Sequence, residues 1–198
     1  LEQQYPGIAA QAAKEDKRIL WLDEMGVRSD APVGRSFSPI GVTPVIRATG
    51  KRFSASMIAA IANDGELEFR VYSGSLTAAS YLDFLKRLVS QSDKPIVLIA
   101  DGHPVHKAKL VRRWVEQEAD GRLQLEFLPA YSPELNPVEL LNNDTKCQVS
   151  RKRRAPDQQS LKNDLRRHLR KRKRQPATVR NFFREKHVSY AASKCVYN

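Results

Sequence analysis

Asp23, Asp101 and Glu139 are the residues whose types and settings could do chemistry together. Glu139 closes the run Leu128-Pro-Ala-Tyr-Ser-Pro-Glu-Leu-Asn-Pro-Val-Glu139, which has three prolines in nine residues. The prolines bar a regular element up to Pro137 and favour extended or turn geometry before each of them. Pro137 then suits the first turn of a helix, and Asn136 is a good N-cap, so Glu139 stands in the first helical turn on a fixed backbone. Alone, these residues describe equally a proline-rich surface turn followed by a helix whose acidic first turn the helix dipole favours. Two upstream segments give the carboxylate company. Arg18-Ile-Leu-Trp-Leu-Asp23-Glu24 and Pro95-Ile-Val-Leu-Ile-Ala-Asp101-Gly102 are short apolar runs closing on acid, and both read as buried strands with Asp at the C-terminal end.

Carboxylates brought together repel one another unless a divalent cation neutralises them, and hard oxygen ligands select Mg²⁺ or Mn²⁺ over zinc. Two such ions can activate an attacking oxygen on one side of a phosphodiester and stabilise the leaving oxygen on the other. Two further residues are secondary candidates. Glu24 adjoins Asp23 but points away from it on a strand. His106, one helical turn beyond Gly102, either approaches the site to contact phosphate or is a partly buried helix histidine.

The elements that must position these groups follow in order. Residues 5–17 have helix-forming composition after a Pro-Gly break, and the first strand ends at Asp23. A loop spans Gly26 to Pro44, long enough to lie over a substrate. Val45–Thr49, Lys51–Ala62 and Glu66–Ser73 read as antiparallel strands, with Asn63-Asp64-Gly65 as a hairpin turn. Thr77–Ser90 has helical spacing at Tyr81, Leu82, Leu85, Leu88 and Val89, with Thr77 or Ser75 as cap. Pro104–Glu118 is again helical, with Val105, Ala108, Val111, Trp114 and Val115 on one stripe, and Leu123–Leu128 is a strand. Asp157–Arg174 and Ala177–Lys186 carry helical patterns, while Asn142-Asn-Asp144 is a poor helix interior. This order implies an α/β fold, a mixed sheet with helices on its faces. Sites in such sheets gather at strand C-terminal ends near the switch in strand order.

Of 198 residues, 41% are apolar, enough for one domain with its own core. The apolar runs are too short to span a membrane, and no signal-like segment opens the chain. Cys147 and Cys195 are widely spaced, which argues against a disulfide framework or zinc site. The net charge of +12 is divided unevenly: residues 1–145 hold 17 Lys+Arg against 19 Asp+Glu, and residues 146–198 hold 17 against 3. The densest runs are Arg151-Lys152-Arg153-Arg154 and the stretch Arg166, Arg167, Arg170, Lys171, Arg172, Lys173, Arg174. Either these form a solvated helix face or they neutralise a polyanion, with nucleic acid the counter-charge such clusters suit. No aromatic residues interleave them, so phosphate contact is expected rather than base stacking.

At these residues the sequence resembles the DDE transposases of the Tc/mariner superfamily, in its bacterial insertion-sequence branch. The resemblance rests on Leu22-Asp-Glu-Met-Gly-Val27, Gly41-Val-Thr-Pro44, Asp101 with His106 beyond it, and above all Tyr131-Ser-Pro-Glu-Leu-Asn-Pro-Val-Glu139. It implies an RNase H-like fold, with Asp23, Asp101 and Glu139 as a triad binding two Mg²⁺, and DNA strand cleavage followed by strand transfer. It also implies DNA as partner (transposon ends and target), a homodimer as a compatible assembly, no membrane, and a cytoplasmic, nucleoid-associated bacterial protein. A helix-turn-helix region is implied ahead of the catalytic domain; none is found here, and the initial Leu suggests a missing beginning. The expected organisation is an entry segment (1–17), a catalytic domain (18–150) and a basic helical extension (151–198). Where the family has Trp this chain has Asn142, and where it has Asn this chain has Gly102. Two alternatives share parts of this reading: a catalytically silent, transposase-derived DNA-binding protein, and an RNase H-type nuclease without strand transfer.

Overall fold

A computed structural model describes residues 4–30, 38–43, 45, 50–129, 132–152 and 154–192, with backbone alone at 150–152. In chain order the elements are α1 (Tyr5–Lys14), β1 (Arg18–Arg28), β2 (Ser54–Ile61), β3 (Leu67–Tyr72), α2 (Ala78–Gln91), β4 (Ile96–Ala100), α3 (Lys109–Gln117), β5 (Leu123–Phe127), α4 (Val138–Lys152), α5 (Gln158–Lys173) and α6 (Pro176–Phe182). Short 3₁₀ turns at Pro133–Leu135 and Ser189–Ala192 complete the set. The strands form one sheet in the order β3-β2-β1-β4-β5. Pairing is antiparallel from β3 to β1 and parallel from β1 to β5, which is the mixed sheet expected. The strand expected at Val45–Thr49 lies outside the described residues except for Val45, as does much of the loop before it.

Local chemistry accounts for the element ends. The Thr77 hydroxyl accepts from the Ser80 amide (3.2 Å) while the Ser80 hydroxyl accepts from the Thr77 amide (3.0 Å), a reciprocal cap that starts α2. Asp157 accepts from the Ser160 amide (2.7 Å) and starts α5. The β2–β3 hairpin turns at Asn63-Asp64-Gly65, with Gly65 at φ +100°. A Cβ on Gly65 would come within 2.5 Å of the Pro176 carbonyl oxygen, so the turn lies flush against the start of α6. Arg18 pairs with Asp64 and Glu66 there, and Arg180 donates to the Asp64 carbonyl (3.0 Å).

Three expectations need correction. The first strand does not end at Asp23 but runs to Arg28, because β2 pairs with it from Trp21 through Arg28; only the parallel ladder with β4 stops early, at Trp21 opposite Ile99. The helix expected from Pro104 begins at Lys109. Before it, the Asp101 carboxylate and His103 imidazole accept the His103 and Val105 amides (3.1 and 3.3 Å), and Ala108 is extended (ψ 143°), so Pro104–Lys107 fold as tight turns. The Asn142-Asn-Asp144 run, a poor helix interior by propensity, lies within α4 because Asn142 and Asp144 both find tertiary partners.

The sheet has two apolar faces. On one, Leu20, Leu22, Ile58 and Leu98 pack beneath α2 and α3, burying Tyr81, Phe84, Leu85, Val111 and Trp114. On the other, Trp21, Met57, Ala59 and Val71 are covered by α1, α4, α5 and α6. The basic segment beyond residue 150 is part of this layer: Leu161, Leu165 and Leu169 of α5 are at most 4% exposed, and Phe183 meets Trp21 edge-on at 5.1 Å. Three apolar residues at i, i+4 and i+8 define a helix face that only burial explains. Tyr5 completes the cluster, lying 5.5 Å from Trp21 and 5.3 Å from Tyr190.

Candidate active site

The parallel register between β1 and β4 brings the first two carboxylates together. Trp21 is opposite Ile99, and carrying that register two residues further sets Asp23 beside Asp101. Side chains alternate along β1, so Asp23 shares the α4 face with Trp21 and Met25, while Glu24 shares the α2/α3 face with Leu20 and Leu22.

Glu139 arrives from the proline-rich loop. Asn136 is 3% exposed and uses both ends of its amide: Oδ1 accepts from the Val138 amide (3.1 Å), and Nδ2 donates to the Leu22 carbonyl (3.0 Å). The cap that starts α4 therefore also fastens its N-terminus to β1, one residue before Asp23. Glu139 stands in the first turn of α4, as expected, its amide donating to the Asn136 carbonyl (3.1 Å). The loop is not wholly irregular, since Pro133–Leu135 close a 3₁₀ turn. Asp23, Asp101 and Glu139 together line one cavity of about 420 Å³, along with Gly102, His103, Pro133 and Asn136.

Burial and the repulsion of Glu139, Glu24 and Asp101 push the Asp23 carboxyl up to about 8, against the Glu24 amide that donates to its Oδ1 at 2.9 Å. Its Oδ2 accepts from Asn142 Nδ2 at 2.8 Å. Asn142 was not a candidate from sequence except as a departure, yet it lies three residues after Glu139 and so on the same helix face. Its Oδ1 is buried without a partner among the described residues.

Asp101 has the opposite setting. Oδ1 lies 2.7 Å from His106 Nδ1, and that hydrogen bond chiefly holds the carboxyl below its ordinary range. His106 neither lies on a helix nor lines the cavity: its side chain is 0% exposed, its ring 4.6 Å from that of Tyr81 and tilted to it by 41°, with Nε2 3.3 Å from Glu24 Oε2. Burial favours the neutral imidazole, but Asp101 and Glu24 outweigh it and raise His106 to about 9. Glu24, Asp101 and His106 offer ligand atoms within 4.8 Å of one another. His106 Nδ1 is already engaged by Asp101 and its side chain is 0% exposed, whereas Asp23, Asp101 and Glu139 all line the cavity. Three carboxylates lining one cavity, with Asp101 held by the His106 imidazole, offer the oxygen ligands that a hard divalent ion takes.

The basic residues divide. Arg153, with the side chains of Arg151 and Lys152, lies outside the described residues. Arg154 donates to the Ser29 carbonyl (2.7 Å), Arg167 pairs with Asp164 (3.0 Å), and Lys173 pairs with Glu68. Arg172 grips Asp144 through two nitrogens (2.6 and 2.7 Å), and His168 joins the same carboxylate at 2.8 Å. Arg170, Lys171 and Arg174 are exposed, and Arg166 is half-exposed beside Asn163.

A family model described as "DDE superfamily endonuclease" matches residues 18–162. The catalytic domain of Mos1 mariner transposase superposes with a TM-score of 0.57 at 15% identity, over 98% of this chain and 92% of that one. The Mos1 strand transfer complex gives a TM-score of 0.61 at 17% identity, and the Mos1 paired-end complex with Mg gives 0.60 at 17%. This chain spans 61% and 62% of the transposase chains in those complexes. No curated protein matches the sequence. The fold is therefore that of an RNase H-like transposase catalytic domain, and with the family model covering all three carboxylates, the chain belongs to the DDE endonuclease superfamily.

Proposed function

We propose that the chain is the catalytic domain of a transposase of the bacterial insertion-sequence branch, cutting DNA strands and joining the freed ends to target DNA in a divalent-metal-dependent reaction. The observation that carries this reading is the convergence of Asp23, Asp101 and Glu139, from β1, the end of β4 and the start of α4, on one cavity. Asp23, Asp101 and Glu139 would hold two Mg²⁺ or Mn²⁺. Bound there, the metal supplies charge neutralisation and Lewis-acid activation at a phosphodiester. The chain's own residues do the rest. His106 holds Asp101 from behind, Asn142 holds Asp23, and the Asn136 cap fixes the angle from which Glu139 enters. The exposed cations of α5, with Arg151, Lys152 and Arg153 before it, contact DNA phosphates without reading bases. A homodimer suits a reaction on two transposon ends.

Glu139→Gln tests the reading. Size and helix are kept while the charge is lost, so cleavage of a labelled duplex in Mg²⁺ should fall about a thousandfold, roughly 4 kcal/mol of transition-state stabilisation. The rise in melting temperature on adding Mg²⁺ should shrink with it. Glu134, exposed in the same loop, is the control and should tolerate the same change. Parent-like cutting by Glu139→Gln, or loss of activity in Glu134→Gln alone, would show the triad assignment to be wrong.

A further inference from the structure

Residues 1–145 have a slight acidic excess, so the cationic run within them at Lys107, Lys109, Arg112 and Arg113 stands out; no acid falls between Pro104 and Trp114. All four are exposed, and Lys109, Arg112 and Arg113 share one face of α3, opposite the buried Val111 and Trp114. Their partners set them apart from α5, where Arg167, Arg172 and Lys173 are ion-paired within the fold. Lys107, Lys109 and Arg112 have no acidic partner among the described residues, and Arg113 bonds only to the neutral Gln117 (3.1 Å).

Position adds a second argument. Lys107 Nζ lies 4.8 Å from the centre of the Phe127 ring at the end of β5. A Cβ on Gly102 would lie 3.4 Å from the same nitrogen, and Gly102 lines the cavity. Lys107 thus places a cation beside a residue that lines the site, two residues before the α3 face begins at Lys109. α3 and α5 cover opposite faces of the sheet.

We infer that the Lys107, Lys109, Arg112 and Arg113 face is a second DNA-phosphate surface, holding a DNA segment separate from the one on α5, with the carboxylate cavity between the two. The inference rests on the proposed function for the identity of the polyanion. A joining reaction needs two DNA segments at one cavity, and the cations of α3, with Arg170, Lys171 and Arg174 exposed on α5, would supply the grip.

Metal-free binding of a short fluorescent duplex, followed by anisotropy across salt concentrations, tests this with the whole chain. The variants are Lys107→Gln/Lys109→Gln/Arg112→Gln on α3, Arg166→Gln/Arg170→Gln/Lys171→Gln on α5, and both sets combined. The parent should take up two duplexes per chain and each triple variant one. The α3 variant should flatten the slope of log affinity against log salt by about 0.9 for each phosphate left unneutralised, and weaken binding at about 0.1 M salt at least tenfold. A single duplex per parent chain, or a parent-like slope and stoichiometry in the α3 variant, overturns the inference. Loss of one duplex in the α3 variant alongside parent-like cutting by Glu139→Gln would instead sink the triad and leave the surface standing.

Discussion

Asp23 and Asp101 lie side by side on neighbouring strands, yet their surroundings drive them in opposite directions. Asp23 is 8% exposed, held by the neutral amide of Asn142, and raised to about 8; Asp101 is half-buried, held by His106, and lowered. The difference follows from the neighbours of each. Beside Asp23 the charges are carboxylates, Glu139 foremost, whereas Asp101 shares the buried His106 imidazole with Glu24. Without metal, the site is thus built of one carboxyl that prefers its proton and one that prefers its charge.

The largest test of this contrast is the pH dependence of stability. From about pH 4 to 8 the folded chain keeps a proton on Asp23 that the unfolded chain has released, so stability should fall as pH rises through that window. His106 acts in the same direction: its contribution is complete below about 6.5 and is lost as pH rises through about 9. Asp101, being lowered, contributes above its ordinary value and loses that contribution only as pH falls through the lowered one. Urea unfolding should show the metal-free chain more stable at pH 5 than at pH 8.5, with about 4 kcal/mol as the ceiling of the Asp23 contribution over that window. Mg²⁺, by keeping Asp23 charged, should flatten the decline. An unchanged midpoint between the two pH values without metal would remove the basis of the contrast.

A smaller effect is expected from His106→Gln, which removes the buried cation between two partly buried acids. Leaving the partners of a buried charge unpaired costs about 3 kcal/mol, and Asp101 should titrate higher than in the parent. Carbon-13 NMR of the carboxyl groups reads this directly; an unshifted Asp101 would mean that His106 does not set its charge. Asn142→Leu should change stability least, within about 1 kcal/mol, because it removes an unpartnered buried Oδ1 together with the useful Nδ2. Its signature is a weaker Mg²⁺-induced rise in melting temperature. A drop of several kcal/mol with Mg²⁺ stabilisation intact would instead make Asn142 a purely structural residue.

Much of the site was legible where local chemistry decides. Pro137, Asn136 and the helical period after them located Glu139, and two apolar runs located Asp23 and Asp101. Non-local pairing was not legible. The extension of β1 to Arg28 depends on β2, and the Asn142–Asp23 bond joins residues 119 apart, so Asn142 registered only as a departure from the family pattern. Pro104–Lys107 fit a helical stripe by sequence, whereas the side chains of Asp101 and His103 accept the next amides and turn the backbone first, which takes His106 off the helix. In the basic segment, charge density obscured what Leu161, Leu165 and Leu169 do, which is to roof the sheet.

Hairpin tips are commonly where a chain tolerates substitution and insertion, and the β2–β3 tip is an exception. Gly65 has a backbone conformation that L side chains rarely adopt and no room for a Cβ beside Pro176, while Arg18, Arg180 and Asn63 tie the same turn to β1, α6 and the Ala191 carbonyl. Variation that would pass unnoticed on an ordinary hairpin would here pry the C-terminal helices from the sheet. Among related chains, then, this tip should drift more slowly than hairpin tips commonly do, its sequence constrained by the roof it anchors rather than by the turn it makes.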